Sequence, residues 1–196
     1  MGKIILTIVL LAATVAMPAA AQFSGLLSAP KTLIDRAIEA RSTSDIAKDN
    51  EIVVKVNAVM AKMGTIKAST EIYEQRLLVT GIFDDKALYD RFEHDVRAVT
   101  GIRKLYWHVV YLGADDPKRK TLMGWSDVLV LGTKAQARLV GTAGVADVNY
   151  RVAADPLGVV YLLGRARSRE EGAKALARAR DGDGVKRVAD LVEVRP

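Results

Sequence analysis

The feature that most constrains this chain is that its second half repeats the spacing of its first. Gly81 precedes Gly101 by 20 residues, and Gly164 precedes Gly184 by 20. A shift of 83 superposes Gly81 on Gly164, Arg97 on Arg180, Gly101 on Gly184 and Val109 on Val192. Upstream, a shift of 79 aligns Lys55 with Lys134, Ala58 with Ala137 and Met60 with Leu139. The difference of four residues falls in between and predicts a longer connection in the second copy. Such self-similarity means that one supersecondary unit is built twice.

Each copy reads α-β-β-α-β. In the first, Ser42-Thr43-Ser44-Asp45 offers helix caps, and Ile52, Val53, Val56, Met60 and Met63 recur at helical spacing. Gly64 is a natural stop. Residues near Ile66–Tyr73 and Arg76–Gly81 predict a hairpin, with Leu77 and Val79 alternating against Leu78 and Thr80. Asp84-Asp85 open a second helix, where acidic side chains suit the N-terminal dipole. Its inner face is Leu88, Phe92, Val96 and Val99. Gly101 ends it, and Ile102 to Leu112 form the last strand, with Leu105, Trp107, Val109 and Tyr111 on one face. The second copy follows suit. A helix runs from Trp125 toward Leu139, and strands lie near Val148–Ala153 and Val159–Gly164, joined by a turn at Asp155-Pro156-Leu157-Gly158. Ser168 caps a helix from Arg169 to about Arg180, and Val185–Arg195 close the unit. The fold class is therefore α+β: two tandem αββαβ modules, each with helices packed on one face of a three-stranded sheet. The boundaries are 42–112 and 125–196, with a polar linker at 113–124 and a helical extension, roughly Pro30 to Ala40, within 22–41.

In order, these motifs resemble the BON family, found in OsmY-like periplasmic proteins and in two-BON outer-membrane lipoproteins. The resemblance rests on Asp49 to Met60, Leu77–Gly81 and Gly101-Ile102-Arg103-Lys104-Leu105 in the first copy. In the second it rests on Ser126-Asp127 to Leu139, Leu162-Leu163-Gly164 and Gly184-Val185-Lys186-Arg187-Val188. It implies a binding module without catalysis, associated with envelope maintenance, stress response and phospholipid surfaces. Gly81 and Gly164 would let the chain turn from strand to helix, and Gly101 and Gly184 would take positive φ at helix ends.

The N-terminus has the layout of a secretory signal. Lys3 precedes an apolar run of 13 residues, Ile4 to Ala16, broken only by Thr7 and Thr14, then Met17-Pro18 and Ala19-Ala20-Ala21. The run falls short of the ~20 residues a membrane span needs. Cleavage is expected near Ala21-Gln22, and the destination is the periplasm. The chain has no cysteine, so the lipid anchor of the lipoprotein relatives is not carried over, and no disulfide can form.

Charge is unevenly placed. Residues 42–112 carry 10 basic and 10 acidic side chains, whereas residues 113–196 carry 15 and 11. A basic second half suggests an anionic partner. Outside the cytoplasm that partner is anionic lipid or lipopolysaccharide rather than nucleic acid.

The search for chemistry finds little. His94 lies in Glu93-His94-Asp95 on a predicted helix, where adjacent residues diverge by ~100°. His108 is expected at an outward polar strand position. With no cysteine and no histidine pair at helical spacing, no metal site is expected, and no cofactor is implied. Asp181-Gly182-Asp183-Gly184 lacks the further ligands of a calcium loop and predicts a helix-ending turn. The chain reads as no enzyme.

The remaining feature is the run Trp125-Ser126-Asp127-Val128-Leu129-Val130-Leu131. Four consecutive apolar residues cannot all face one core. Val128, Leu131, Ala135 and Leu139 make an inner stripe. Trp125, Leu129 and Gly132 are expected outward, with Lys134 and Arg138 nearby. Trp125, Leu129, Lys134 and Arg138 are thus the candidate lipid-binding residues. Packing against the first module is the other reading of the same run. The two functional readings are an anionic phospholipid binder acting through the second module, and an adaptor docking on another envelope protein.

Overall fold

Helix α1 spans Thr43–Lys62; the Ser42 hydroxyl accepts the Asp45 N–H and caps it. A hairpin follows, β1 (Lys67–Tyr73) and β2 (Arg76–Phe83), then α2 (Lys86–Arg97) and β3 (Lys104–Tyr111). The second half repeats this order with α3 (Trp125–Leu139), β4 (Tyr150–Ala154), β5 (Val159–Ala166), α4 (Arg169–Arg180) and β6 (Arg187–Val194). Asp85 caps α2 and Ser168 caps α4, as their sequences lead one to expect. The structure, a computed structural model, describes residues 38–64 and 66–196. The signal segment and nearly all of the 22–41 extension lie outside those residues. The described chain is α+β, with two three-stranded sheets and four α-helices.

Both sheets have the same topology. β1 pairs antiparallel with β2, and β2 pairs parallel with β3; β4, β5 and β6 repeat the pattern. Each helix pair covers one face of its own sheet. In the first half Ile52, Val56, Phe92 and Val96 meet Leu77, Val79 and Val109. In the second half Val128, Leu131, Leu139 and Ala175 meet Val152, Val160 and Leu162.

The opposite faces pack on each other. Tyr73 and Leu78 from the first sheet join Ala153, Val159, Tyr161 and Leu163 from the second in a third core. This explains why β2 and most of β5 are buried at every position, where simple alternation predicts one wet face. It also corrects the position of His108. Its ring lies against Tyr161, centroids 4.4 Å apart, between the sheets rather than in solvent. Burial lowers its pKa; Asp155 opposes that shift and Arg187 adds to it.

Polar groups are built into this seam. Arg76, 1% exposed, donates from Nη2 to Gly164 O (2.7 Å) and from Nη1 to Leu191 O (3.0 Å). Glu74 pairs with Arg195 and lies 3.7 Å from Arg165. Asn149 accepts the Ala40 N–H and the Tyr73 hydroxyl, and donates to Ile38 O. The segment preceding α1 is thereby held against both halves.

The four-residue difference resolves into two places. Residues 140–149, with a 3₁₀ turn at Asp147–Asn149, replace the short α1–β1 connection, and a four-residue turn replaces the two-residue turn of the first hairpin. The shorter β4, and an α3 that ends at Leu139, the match of Met60, where α1 runs on to Lys62, offset the rest of the gain.

Candidate functional site

The candidate residues sit on α3, and the helix separates them. Nine positions divide Trp125 from Lys134, and nine divide Leu129 from Arg138. At 3.6 residues per turn that is two and a half turns, which places each pair about 180° apart. The two apolar and two basic candidates therefore occupy opposite flanks and do not form one patch. Gly132, expected outward, is buried against the backbone of Ala153 and Ala154. The outward position of the run belongs to Val130, 47% exposed.

Arg138 has structural work. Its Nε donates to Arg178 O (3.1 Å) and its Nη2 to Ala179 O (3.2 Å), two carbonyls in the last turn of α4. Gly182 makes room for it, because a Cβ there would land on the guanidinium. The cation also suits the negative end of the α4 dipole. Lys134 is exposed and makes no ion pair with the described residues.

Trp125 begins α3 and is partly buried against the second core, as is Met123. These two residues belong to a larger surface. The Met123 N–H donates to Pro156 O (2.9 Å), which ties the start of α3 to the β4–β5 turn. The Lys186 N–H donates to Gly158 O (2.9 Å), which brings in the segment before β6. Leu157, at the tip of the turn, is 45% exposed. Just upstream, the 3₁₀ turn Pro117–Thr121 carries Lys118 and Lys120. Lys118, Lys120 and Lys186 are exposed and unpaired among the described residues. One end of the second half thus shows apolar side chains from two segments, the start of α3 and the β4–β5 turn, with exposed lysines on the segments that adjoin them.

The turn that presents Leu157 is held from within. Asp155 Oδ1 accepts the N–H groups of Leu157 and Val159, and Oδ2 accepts the Tyr161 hydroxyl at 2.7 Å. Burial, and that hydrogen bond, push the Tyr161 hydroxyl up. Leu157, Met123, Lys118, Lys120 and Lys186 were not singled out in the sequence. Only the linker's basic run was a signal; the rest is created by tertiary contact.

The structural glycines divide into two kinds. Gly101 and Gly184 take positive φ, 96° and 84°, in the turns that follow α2 and α4. Gly81 and Gly164 were expected to turn the chain and do not: both lie inside strands, paired with Ala68 and Tyr150. A Cβ at Gly81 would strike Lys67 O, and one at Gly164 would strike Asn149 O. Their role is close approach of the neighbouring strand.

His94 is exposed on α2. Asp181–Gly184 form the turn after α4. Among the described residues no three His, Cys, Asp or Glu side chains cluster to hold a metal ion, and no helix is long and apolar enough to cross a membrane.

An uncharacterized protein in the gshII 5′ region of Anaplasma centrale is 26% identical over 148 residues, 75% of this chain and 95% of that one. That length exceeds the second half, so the similarity reaches into the first. Two solved structures of CdsD, a structural protein of the type III secretion system of Chlamydia trachomatis, align over 74% of this chain. They cover 93% and 97% of the CdsD chains, at 11% and 10% identity, with a TM-score of 0.31 in both cases. The BON domain model matches residues 122–196; BON domains are not an enzyme family. That span starts at Leu122, takes in the surface around Trp125 and Leu157, and ends with β6 at the C-terminus, so the second half of this chain is a BON domain.

Proposed function

We propose that this chain is an exported, non-enzymatic envelope-maintenance protein that binds anionic phospholipid surfaces, chiefly through its second half. In this reading the first half is a diverged second copy of the BON module, and the protein acts in the periplasm, after signal cleavage near Gln22, without a lipid anchor. The observation that carries the reading is the end of the second half. Met123, Trp125 and Leu157 offer apolar contact, and Lys118, Lys120 and Lys186, exposed and without ion pairs among the described residues, stand on the adjoining segments. Lysines near an anionic bilayer contribute about 1 kcal/mol each, and the attraction is screened by salt. Apolar insertion adds a part that salt does not screen.

The test is co-sedimentation of the chain from Gln22 with phosphatidylglycerol vesicles. Lys118→Glu with Lys120→Glu is expected to weaken binding at low salt far more than at high salt. Trp125→Ala with Leu157→Ser is expected to weaken it at every salt concentration. Because Arg138 is engaged with α4, Lys134→Glu is expected to act weakly and Arg138→Glu through stability. Equal effects of all four changes would remove the assignment of the surface.

The second reading, an adaptor docking on another envelope protein, has its own support. A shallow groove between α1 and α2, lined by Ala58, Val59, Ala98 and Val99, is open to solvent.

A further inference from the structure

The edges of the two sheets are β1, β3, β4 and β6, and they are not protected alike. Parallel pairing turns alternate residues of a strand away from its neighbour. In β3 the sequence of bonds is set by the Leu112 N–H, which donates to Phe83 O (3.0 Å). Leu105, Trp107, Val109 and Tyr111 therefore turn their N–H and C=O groups outward. Among the described residues nothing bonds to those groups. In β6 the Arg195 N–H donates to Ala166 O (2.9 Å), which by the same alternation turns the Val192 N–H outward. There Asp190 intervenes: its Oδ1 accepts that N–H at 3.0 Å and sets a charge on the edge. β4 has five residues, and β1 carries Lys67 and Glu71. Short or charged edges resist the addition of another strand. β3 has neither protection. After Lys104 it reads Leu-Tyr-Trp-His-Val-Val-Tyr, without Asp, Glu, Lys, Arg, Pro or Gly, a composition that pairs readily with a further strand.

The residues that flank β3 identify that strand. Arg103 and Lys104 are exposed at its start and Asp115 is exposed beyond its end, and none of the three makes an ion pair among the described residues. The cations nearest Asp115 are engaged elsewhere, Lys86 with Asp90 and Arg119 with Asp84. A second β3 laid antiparallel brings the basic start of each strand beside the acidic end of the other, whereas a parallel one sets like charges together. The outward groups fix the register. Leu105 meets Tyr111 of the second copy and Trp107 meets Val109, which uses every outward N–H and C=O of the strand and keeps matching faces together. Net charge agrees. Residues 42–112 carry 10 basic and 10 acidic side chains, so two first halves meet without net repulsion; residues 113–196, with 15 and 11, would repel their copy. We infer that the free edge of β3 is a dimer interface, where two copies of this chain join their first sheets about a two-fold axis. With β6 guarded by Asp190, the association closes at two copies.

Sedimentation equilibrium of the chain begun at Gln22, over a range of concentrations, is expected to give a dimer. Lys104→Glu is expected to raise its dissociation constant by about tenfold, because the change is met twice in each dimer and sets a like charge against Asp115. Lys104→Glu with Asp115→Lys is expected to return it toward the unmodified value, a recovery that a loss of folding cannot produce. Both positions are exposed, and circular dichroism checks that the variants fold. A monomer at every concentration would overturn the second copy as the occupant of this edge. A dimer that Lys104→Glu leaves equally tight, or that the double variant does not restore, would overturn the antiparallel pairing of β3.

Discussion

Single side chains set the geometry of both hairpins, and they do so from places that differ between the halves. Glu74 and Gln75 form a two-residue turn with φ of 50° and 59°, which glycine or asparagine ordinarily occupies. Asp49, fully buried on α1, compensates: its carboxylate accepts the Glu74 N–H (2.9 Å) and the Gln75 N–H (2.6 Å) and pairs with Arg41. Asp49→Ala is expected to cost about 3 kcal/mol in urea denaturation, because it strands two buried donors and a cation. Glu71 offers a pH-dependent test. It is half-buried on the β1 face that meets the second sheet, and burial pushes its carboxyl up from 4.5 to about 7, with Arg151 opposing the shift. Arg41, Glu39 and Tyr73 also act on that arginine. A raised carboxyl pKa means that the folded chain holds the proton more tightly than the unfolded one. Stability from this group is therefore complete below about pH 4.5 and is lost as pH rises to about 7. Relative to the unmodified chain, Glu71→Gln is expected to gain about 1–3 kcal/mol at pH 8 and little at pH 4. An equal difference at both pH values would contradict the assignment.

At the scale of elements, what local pattern could specify was legible, and what tertiary contact created was not. The caps at Ser42, Asp85 and Ser168 and the stripes of α1 and α3 are local, and each element lies within a few residues of its expected place. The strand glycines were recognised as important for the wrong reason. Spacing marks Gly81 and Gly164, but only the paired strand reveals that Lys67 O and Asn149 O lie where a side chain would go. Gly81→Val is therefore expected to disrupt β1–β2 pairing and to lower the thermal midpoint by several degrees or more. Gly141, whose Cβ would meet nothing within 4 Å, is expected to tolerate alanine better despite its positive φ of 73°. The candidate site was legible in part. Trp125 stands at that end by local pattern alone, whereas the hold on Arg138 is not visible in sequence, because its partners are carbonyls about 40 residues away. Leu157 and Lys186 join that end only through the Met123–Pro156 and Gly158–Lys186 hydrogen bonds.

On the scale of the whole molecule, the described residues form one compact unit, and the seam between the sheets is what makes it one. The unbroken apolar run Val159–Leu163 is the sequence trace of a strand covered on both faces. Cutting the chain at the linker would expose Tyr73 and Leu78 on one side and Tyr161 and Leu163 on the other. Heat or urea is accordingly expected to unfold both halves in one transition, followed by coincident circular dichroism and fluorescence; two separated transitions would show that the seam contributes little. Binding experiments likewise belong to the intact chain. The most direct test of the account is equilibrium binding of that chain, begun at Gln22, to vesicles of pure phosphatidylcholine and of phosphatidylcholine with increasing phosphatidylglycerol. The account predicts little binding to the neutral vesicles and affinity that climbs with anionic content and falls with salt. Equal affinity for both compositions, or none for either, would contradict it.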